Sequence, residues 1–369
     1  MLRSDPHIII SGGGTGGHIF PALAIAKALK EKLPDAKFLF IGAKGKMEME
    51  KVPAAGFPIR GLWISGLRRD FSFDNLMFPV KVVHSIISAA LIIRRFKADV
   101  AVGVGGYASG PALRASSMLG IPTLIQEQNS YPGITNKVLG KRAKKICVAY
   151  EGMEKYFPAE KIILTGNPIR KEVTDTGGKR TEAGKYFGLD PENLTILVVG
   201  GSQGALSINR CIESMLPVLA ERQIQMVWQT GQNFRQQAAE SCERAGCQRI
   251  SVTDFIQRMD LAYALADIVI SRAGAIAIAE LAAVKKPVIF IPLPTAAEDH
   301  QMKNAMKLAE KGAAMVIHDK EAPKNLQETL FGLIADENRR EKLASGIYQF
   351  AIADAGEKIA DEIIKLIDK

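Results

Sequence analysis

The sequence predicts an α/β protein of two domains in tandem, each a parallel sheet covered by helices. Three observations predict it. The strands read as near-continuous Val/Ile/Leu runs, as expected where both faces of a parallel sheet are buried. These runs alternate with helical stretches along the whole chain. The opening order of strand, glycine-rich turn and helix occurs twice, at "HIIISGGGTGGHIFPALAIA" and "LTILVVGGSQGALSINRCIE". Such a repeat implies two Rossmann-like domains and not one large sheet.

The elements follow in order. "HIIIS", "KFLFIGA", "ADVAVGVGG", "PTLIQEQ", "KKICVAY" and "KIILTGNP" read as the strands of the first half. "PALAIAKALKEKL", the stretch from Asn75 to Phe96, and "PGITNKVLGKRA" read as helices, with Pro21 suited to a first helical turn. The second half continues with the helix "SQGALSINRCIESMLPVLAER" and the strands "QMVWQTG", "RISVTDF", "ADIVISRAG", "PVIFIPL" and "AAMVIH". The polar segment Thr165–Arg180, with its Pro and Gly, is the expected hinge region. The expected domains are therefore residues 1–166 and 167–347, with a helix over 348–369 free to pack back on the first domain.

Composition bounds the function. The chain has 369 residues, 47% hydrophobic and 24% charged, as in an ordinary globular protein of two cores. No segment resembles a signal peptide or a membrane span. Cys147, Cys211, Cys242 and Cys247 form no CxxC pair and no cluster with His, so we expect reduced thiols in a cytosolic protein and no metal site. The net charge of +9 is uneven: residues 1–166 hold 23 Lys and Arg against 12 Asp and Glu. A basic first half suits an anionic surface or substrate, or is a solvated face.

Gly12, Gly14 and Gly17 satisfy GxGxxG, but the second strand ends "FIGAKGK", where a dinucleotide fold needs an acid for the ribose. A nicotinamide or flavin cofactor is therefore disfavoured, and with no GxxxxGK[ST] a P-loop is excluded; no cofactor is expected. "GGSQGA" after its strand opens a helix whose amides would bind an anion. A third turn, "GVGGYASGP", follows "ADVAV". Polar groups gather at strand ends: Glu127, Gln128 and Asn129, then Glu280, then Asp299, His300 and Gln301. Ligands of open α/β sheets bind outside such ends, so the simplest geometry is one cleft between two facing domains.

In "GGGTGGHIFPALAIA", "GVGGYASGP", "EQNSYPGITNK", "TGNPIR", "GGSQGA", "SRAGAIAIAELAA" and "DHQMKNA", in this order, the chain resembles the MurG family of glycosyltransferases. The resemblance covers essentially the whole sequence. It implies a GT-B fold with an interdomain cleft, and a metal-independent, inverting hexosyltransferase of peptidoglycan biosynthesis, serving cell-wall growth, shape and division. The implied donor is UDP-GlcNAc. The implied acceptor is the MurNAc C4 hydroxyl of undecaprenyl-pyrophosphoryl-MurNAc-pentapeptide (lipid I), giving lipid II at the cytoplasmic face of the inner membrane, with a cell-wall synthesis complex as the implied protein partner.

Carried over by position, Ser202 and Arg170 would contact the UDP phosphates, and Ile256 the uracil through its backbone. Glu280 would hold the ribose, with Ala275, Ile276, Ala277, Ile278 and Ala279 lining the same turn. Gln301 and Asn129 would hold GlcNAc, and Thr15, Gly16 and Gly17 would line the donor–acceptor junction. His18 is the first candidate base, since its reference pKa near 6.5 suits proton uptake at neutral pH. A purely binding role for it stays open, and Glu127 is the second candidate. His7, His84 and His318 read as structural, without partners. Leu76, Met77, Phe78 and Val80, with Lys81, Arg68 and Arg69, are expected to form an apolar patch with a basic rim for an anionic membrane, while Ile86–Ile93 are expected in the core. Another UDP-sugar enzyme, such as a UDP-GlcNAc 2-epimerase, is the near alternative. A nucleic-acid-binding protein is the distant one, disfavoured by an aromatic content of 7%.

Overall fold

The structure, a computed structural model, describes residues 5–66, 77–201, 203–352 and 354–368. Its contacts divide the chain into two compact units, Met1–Ile169 with Ile352–Lys369, and Arg170–Ala351. The first unit holds the strands β1 His7–Ser11, β2 Lys37–Ala43, β3 Ile59–Leu62, β4 Val100–Gly103, β5 Thr123–Glu127, β6 Lys145–Val148 and β7 Ile162–Leu164. They form one parallel sheet in the order β3-β2-β1-β4-β5-β6-β7. The second unit holds β8 Thr195–Val199, β9 Gln225–Gln229, β10 Ile250–Thr253, β11 Ile268–Ser271, β12 Val288–Phe290 and β13 Met315–Val316. These are again parallel, in the order β10-β9-β8-β11-β12-β13.

Both sheets reverse direction beside their first strand, and that reversal positions everything that follows. The chain runs outward from β1 to β3, then returns to lay β4 on the other side of β1, with Ser11 opposite Gly103. The second sheet does the same, with Val199 opposite Ser271. At such a reversal the turns leaving the two central strands diverge to opposite faces and open a crevice above their carboxyl ends.

Ile8, Ile9 and Ile10 are all buried, as a strand covered on both faces requires. Ile8 and Ile10 pack with Ile25 and Leu29 of the helix Gly16–Lys32 and with Ile359 and Ile363 of the helix Ala355–Ile367. Burying each of those last two contributes roughly 1.5–3 kcal/mol, so the C-terminal helix is part of the first unit's core. Ile9 faces the other layer, with Ile93 of the helix Phe78–Phe96 and Leu113 of the helix Ser109–Met118.

Some local expectations change. Pro21 lies in the second turn of its helix, because the helix already starts at Gly16. Proline there cannot donate to the carbonyl four residues back, so Gly17 O lacks its intrahelical partner. The segment expected as a hinge contains the helical turn Lys171–Thr174, and its Asn167 is anchored by Gln126 and Gln128 at 3.1 and 3.0 Å. His7 does have partners: its amide donates to Asp99 at 2.7 Å and its Nδ1 meets the Phe96 carbonyl. His84 packs edge-on against Trp63.

Candidate active site

In the first unit the turn after β1 is held from below by a residue the sequence reading passed over. Glu48, fully buried in the helix Glu48–Ala54, accepts hydrogen bonds from Ala43 N at 2.9 Å and Gly14 N at 3.0 Å. A Cβ at Gly13 would lie 2.3 Å from the Glu48 carboxylate, so only glycine lets the turn close over it. Gly14 takes φ +88°, which glycine adopts without strain. The turn after β4 approaches just as closely: a Cβ on Gly106, itself at φ +84°, would sit 2.1 Å from Gly13 O.

Thr15, Gly16, Gly17 and His18 stand at the start of the Gly16–Lys32 helix. Thr15 is its N-cap, but its hydroxyl lies 3.3 Å from His18 Nδ1 and does not cap the helix. That contact fixes which ring nitrogen faces away from the turn. The His18 ring lies against Gly105, where a Cβ would come within 2.9 Å of Nε2. The imidazole is half-buried over the Gly105 backbone.

Glu127, at the end of β5, is buried and its four bonds are all local. Oε1 accepts from Asn129 N and Nδ2 at 2.9 and 3.1 Å, and Oε2 from Asn136 Nδ2 and Gly133 N at 2.8 and 3.2 Å. Burial raises its pKa and these donors oppose the rise. A carboxylate saturated by its own loop anchors that loop. This arrangement favours positioning Asn129 over taking a substrate proton.

In the second unit a cavity of about 600 Å³ lies at the β8/β11 reversal, lined by Gly200, Gly201, Gly204, Gly274, Ala277 and Gln301 among others. The helices Leu206–Glu221 and Ala275–Ala283 both begin there, neither with a side-chain cap. Two helix N-termini aimed at one cavity make an anion site. Ser202 lies outside the described residues. Its turn is held by Gln229, which donates to Gly201 O at 2.8 Å and accepts from Ile256 N at 3.0 Å. The Ile256 amide is therefore already used inside the protein, and its carbonyl is the backbone group left for a base.

Arg170 and Glu280, predicted separately, meet at 3.5 Å, and Tyr263 donates to the other Glu280 oxygen at 3.1 Å. Burial raises the Glu280 pKa, while Arg170 and Tyr263 oppose it. Ala275, Ile276, Ala277, Ile278 and Ala279 form the first turns of the helix that carries Glu280. Gln301 accepts from Leu293 N at 2.9 Å across the loop where Glu298 and Asp299 both take left-handed backbone angles.

Two cavity arginines were missed. Arg272 donates to the Ile291 carbonyl at 2.9 Å and to Ser207 at 2.8 Å, and pairs with Asp319. It braces the floor. Arg210, one turn into the Leu206–Glu221 helix, is exposed, lines the cavity and makes no ion pair among the described residues. Its signal was only "INR", an arginine one helical turn after a glycine turn. Among the described residues no cluster of metal-ligating side chains occurs.

The expected membrane patch is altered. Leu76, Arg68 and Arg69 lie outside the described residues. Lys81 is buried, 3.4 Å from the Ser65 hydroxyl and over the Trp63 ring, so it does not form an exposed rim. Met77 and Phe78 are half-buried, and Phe78 packs on the core. The reason is helical phase: Lys81, Ser85, Ala89 and Ile93 repeat every four residues on the inner face. The outer face then carries Val80, Val83, Ile87 and Leu91, 51–66% exposed, with Arg94 and Arg95 at its end. Ile87 and Leu91 were expected in the core. No described helix is long and apolar enough to cross a membrane.

The fold and site define a class. Residues 8–148 match the glycosyltransferase family 28 N-terminal domain and residues 195–359 its C-terminal domain, in a GT-B arrangement of two α/β units. A relative from Parabacteroides distasonis is 51% identical over 98% of this chain and 98% of its own, and one from Cytophaga hutchinsonii is 50% identical over 100% and 99%. Both are named UDP-N-acetylglucosamine--N-acetylmuramyl-(pentapeptide) pyrophosphoryl-undecaprenol N-acetylglucosamine transferase. The crystal structure of Acinetobacter baumannii MurG is 31% identical, with a TM-score of 0.77 over 98% of this chain and 99% of that one. This chain belongs to the MurG family. A Neisseria meningitidis UDP-GlcNAc 2-epimerase, 14% identical with a TM-score of 0.69, shares the fold alone.

Proposed function

We propose that the chain transfers N-acetylglucosamine from UDP-GlcNAc to the MurNAc C4 hydroxyl of undecaprenyl-pyrophosphoryl-MurNAc-pentapeptide, forming a β-1,4 bond. The observation that carries this reading is identity of about half, over nearly the full length, to relatives named for that transfer. The acceptor oxygen attacks the anomeric carbon opposite UDP, the bond to the diphosphate breaks, and the hydroxyl proton passes to His18. Arg170, Arg210 and the two helix N-termini at the 600 Å³ cavity take up the charge of the departing diphosphate. Glu280 accepts from the ribose hydroxyls, the Ile256 carbonyl meets the uracil, and Gln301 and Asn129 hold the sugar. Glu127 keeps Asn129 in place.

The outer face of the Phe78–Phe96 helix supports peripheral docking on an anionic membrane leaflet, where the lipid-linked acceptor lies: an apolar stripe ends in Arg94 and Arg95. The test is a lipid I analogue with labelled UDP-GlcNAc. Label in a β-linked disaccharide lipid is expected. Conversion of UDP-GlcNAc to its 2-epimer without acceptor would overturn the reading in favour of an epimerase.

A further inference from the structure

The helix Arg235–Arg244 ends in the sequence "SCERAGC", and its cap is a Schellman motif. Gly246 takes φ +70°, its amide donates to Glu243 O at 3.0 Å, and Cys247 N donates to Cys242 O at 2.9 Å. In this motif the side chains on the two ends of the longer bond touch, and they are ordinarily apolar. Here both are cysteines, and the Cys247 thiol donates to the Leu216 carbonyl at 3.6 Å. Cys242 lies in the core of the second unit, whereas Cys247 is half-exposed and lines an open cavity of about 240 Å³ with Ile224, Gln248 and Arg249. The backbone bond that closes the cap holds the two Cα atoms at the separation a disulfide bridges, roughly 4.4–6.8 Å.

We infer that Cys242 and Cys247 are a dithiol pair that closes reversibly to an intramolecular disulfide across the helix cap. Cys247 reacts first, because it reaches the cavity whereas Cys242 lies in the core. The Cys247 thiolate attacks one sulfur of a small-molecule disulfide and expels one thiolate. Cys242 gives up its proton and attacks the Cys247 sulfur of the mixed disulfide, expelling the second. One external disulfide is reduced to two thiols and the protein loses two hydrogens. Burial pushes the Cys242 thiol up to about 12 and raises that of Cys247, so closure is slow at neutral pH. Reopening is slow for the same reason, since thiols of high pKa leave poorly. The bridge fastens the helix to the connection that enters β10, three residues beyond Cys247.

The experiment incubates the full chain with glutathione disulfide at mildly alkaline pH, then quenches with acid. Expected are a loss of two hydrogens in the intact mass, a peptide linking Cys242 to Cys247, and a fall from four to two titratable thiols in denaturant. The closed ring of six residues raises the thermal midpoint by roughly 4–8 °C. Cys242→Ser is expected to stop at a glutathione adduct on Cys247, and Cys247→Ser to stay largely unmodified. A persistent glutathione adduct on the wild-type protein, a bridge that uses Cys211, or four free thiols after prolonged incubation would each overturn the inference.

Discussion

Replacing Glu48 tests how the opening turn is held. Its carboxylate is the acceptor for two backbone amides, Ala43 N in the core and Gly14 N in the turn. In Glu48→Ala both lose that acceptor. An unsatisfied buried amide costs about 1–3 kcal/mol, and the Gly14 amide, being only partly buried, recovers some of its loss from water. The sum is about 3 kcal/mol, which lowers the thermal midpoint of a unit of this size by roughly 6–12 °C. Glu48→Gln keeps one acceptor but turns an NH2 toward the other amide, so about half that loss is expected. The functional effect is selective. The turn carries Thr15 and His18, so turnover falls in proportion to the disorder of the turn. UDP binding, which the proposed function places at the cavity of the second unit, changes little. Urea unfolding gives the stability, calorimetry with UDP gives the affinity, and the transfer assay gives kcat. Wild-type stability in both variants would refute the reasoning, as would UDP affinity falling in step with turnover.

The other predictions are these. His18→Ala lowers kcat by roughly 10²–10⁴ with UDP affinity nearly unchanged, and equal losses of both would remove its assignment as base. Arg210→Ala raises KM for UDP-GlcNAc about tenfold and leaves uridine binding unchanged, since its role is charge on the diphosphate. Val83→Asp with Ile87→Asp weakens sedimentation with anionic vesicles, whereas turnover on a soluble acceptor analogue stays near wild type. Asp260 is held at about 2 by Arg258 and, more weakly, Lys179. Its contribution is therefore fully present above the ordinary value of 3.8 and is lost as pH falls toward 2. Accordingly, Asp260→Asn costs about 1–2 kcal/mol at pH 7 by denaturant unfolding, and the gap to wild type narrows below pH 4.

The fold was legible because its signals are local. Ile8–Ile10 and Ile196–Val198 announce strands buried on both faces, and the glycines after them announce turns that admit no side chain. The candidate site was legible where chemistry and punctuation coincide: the sequence proposed Arg170 and Glu280 separately, and the structure pairs them at 3.5 Å. What stayed hidden depends on pairing through space. Nothing in "KMEMEK" says that Glu48 will reach back under Gly14, and nothing in "WQTG" says that Gln229 will hold both Gly201 and Ile256. The phase of the Phe78–Phe96 helix was missed for a related reason. The stretch is apolar nearly all round, so hydrophobicity alone does not choose the inner face, and the small residues Ser85 and Ala89 choose it by packing.

The two glycine turns look alike in sequence but differ in what lies beneath them, and this decides which one suits a phosphate. Under the first turn sits the Glu48 carboxylate, 3.0 Å from the Gly14 amide. A negative charge there consumes one of the donors that would face an anion and offsets the positive end of the Gly16–Lys32 helix. Under the second turn sits Gln229, a neutral amide that accepts from Ile256 and donates to a carbonyl, and the Asp319 carboxylate in the same cavity is paired with Arg272. Two helix N-termini add to its positive potential, and so does Arg210, which makes no ion pair among the described residues. The second turn therefore suits a phosphate better than the first, which supports the proposed placing of the diphosphate there. The first suits a neutral partner, and the proposed function places a sugar hydroxyl there, beside the Gly17 carbonyl that Pro21 leaves without its intrahelical donor and the imidazole of His18. Binding a polyanion at the first turn would set it against a buried carboxylate, so Glu48→Gln should bind inorganic pyrophosphate there more tightly than the wild type does.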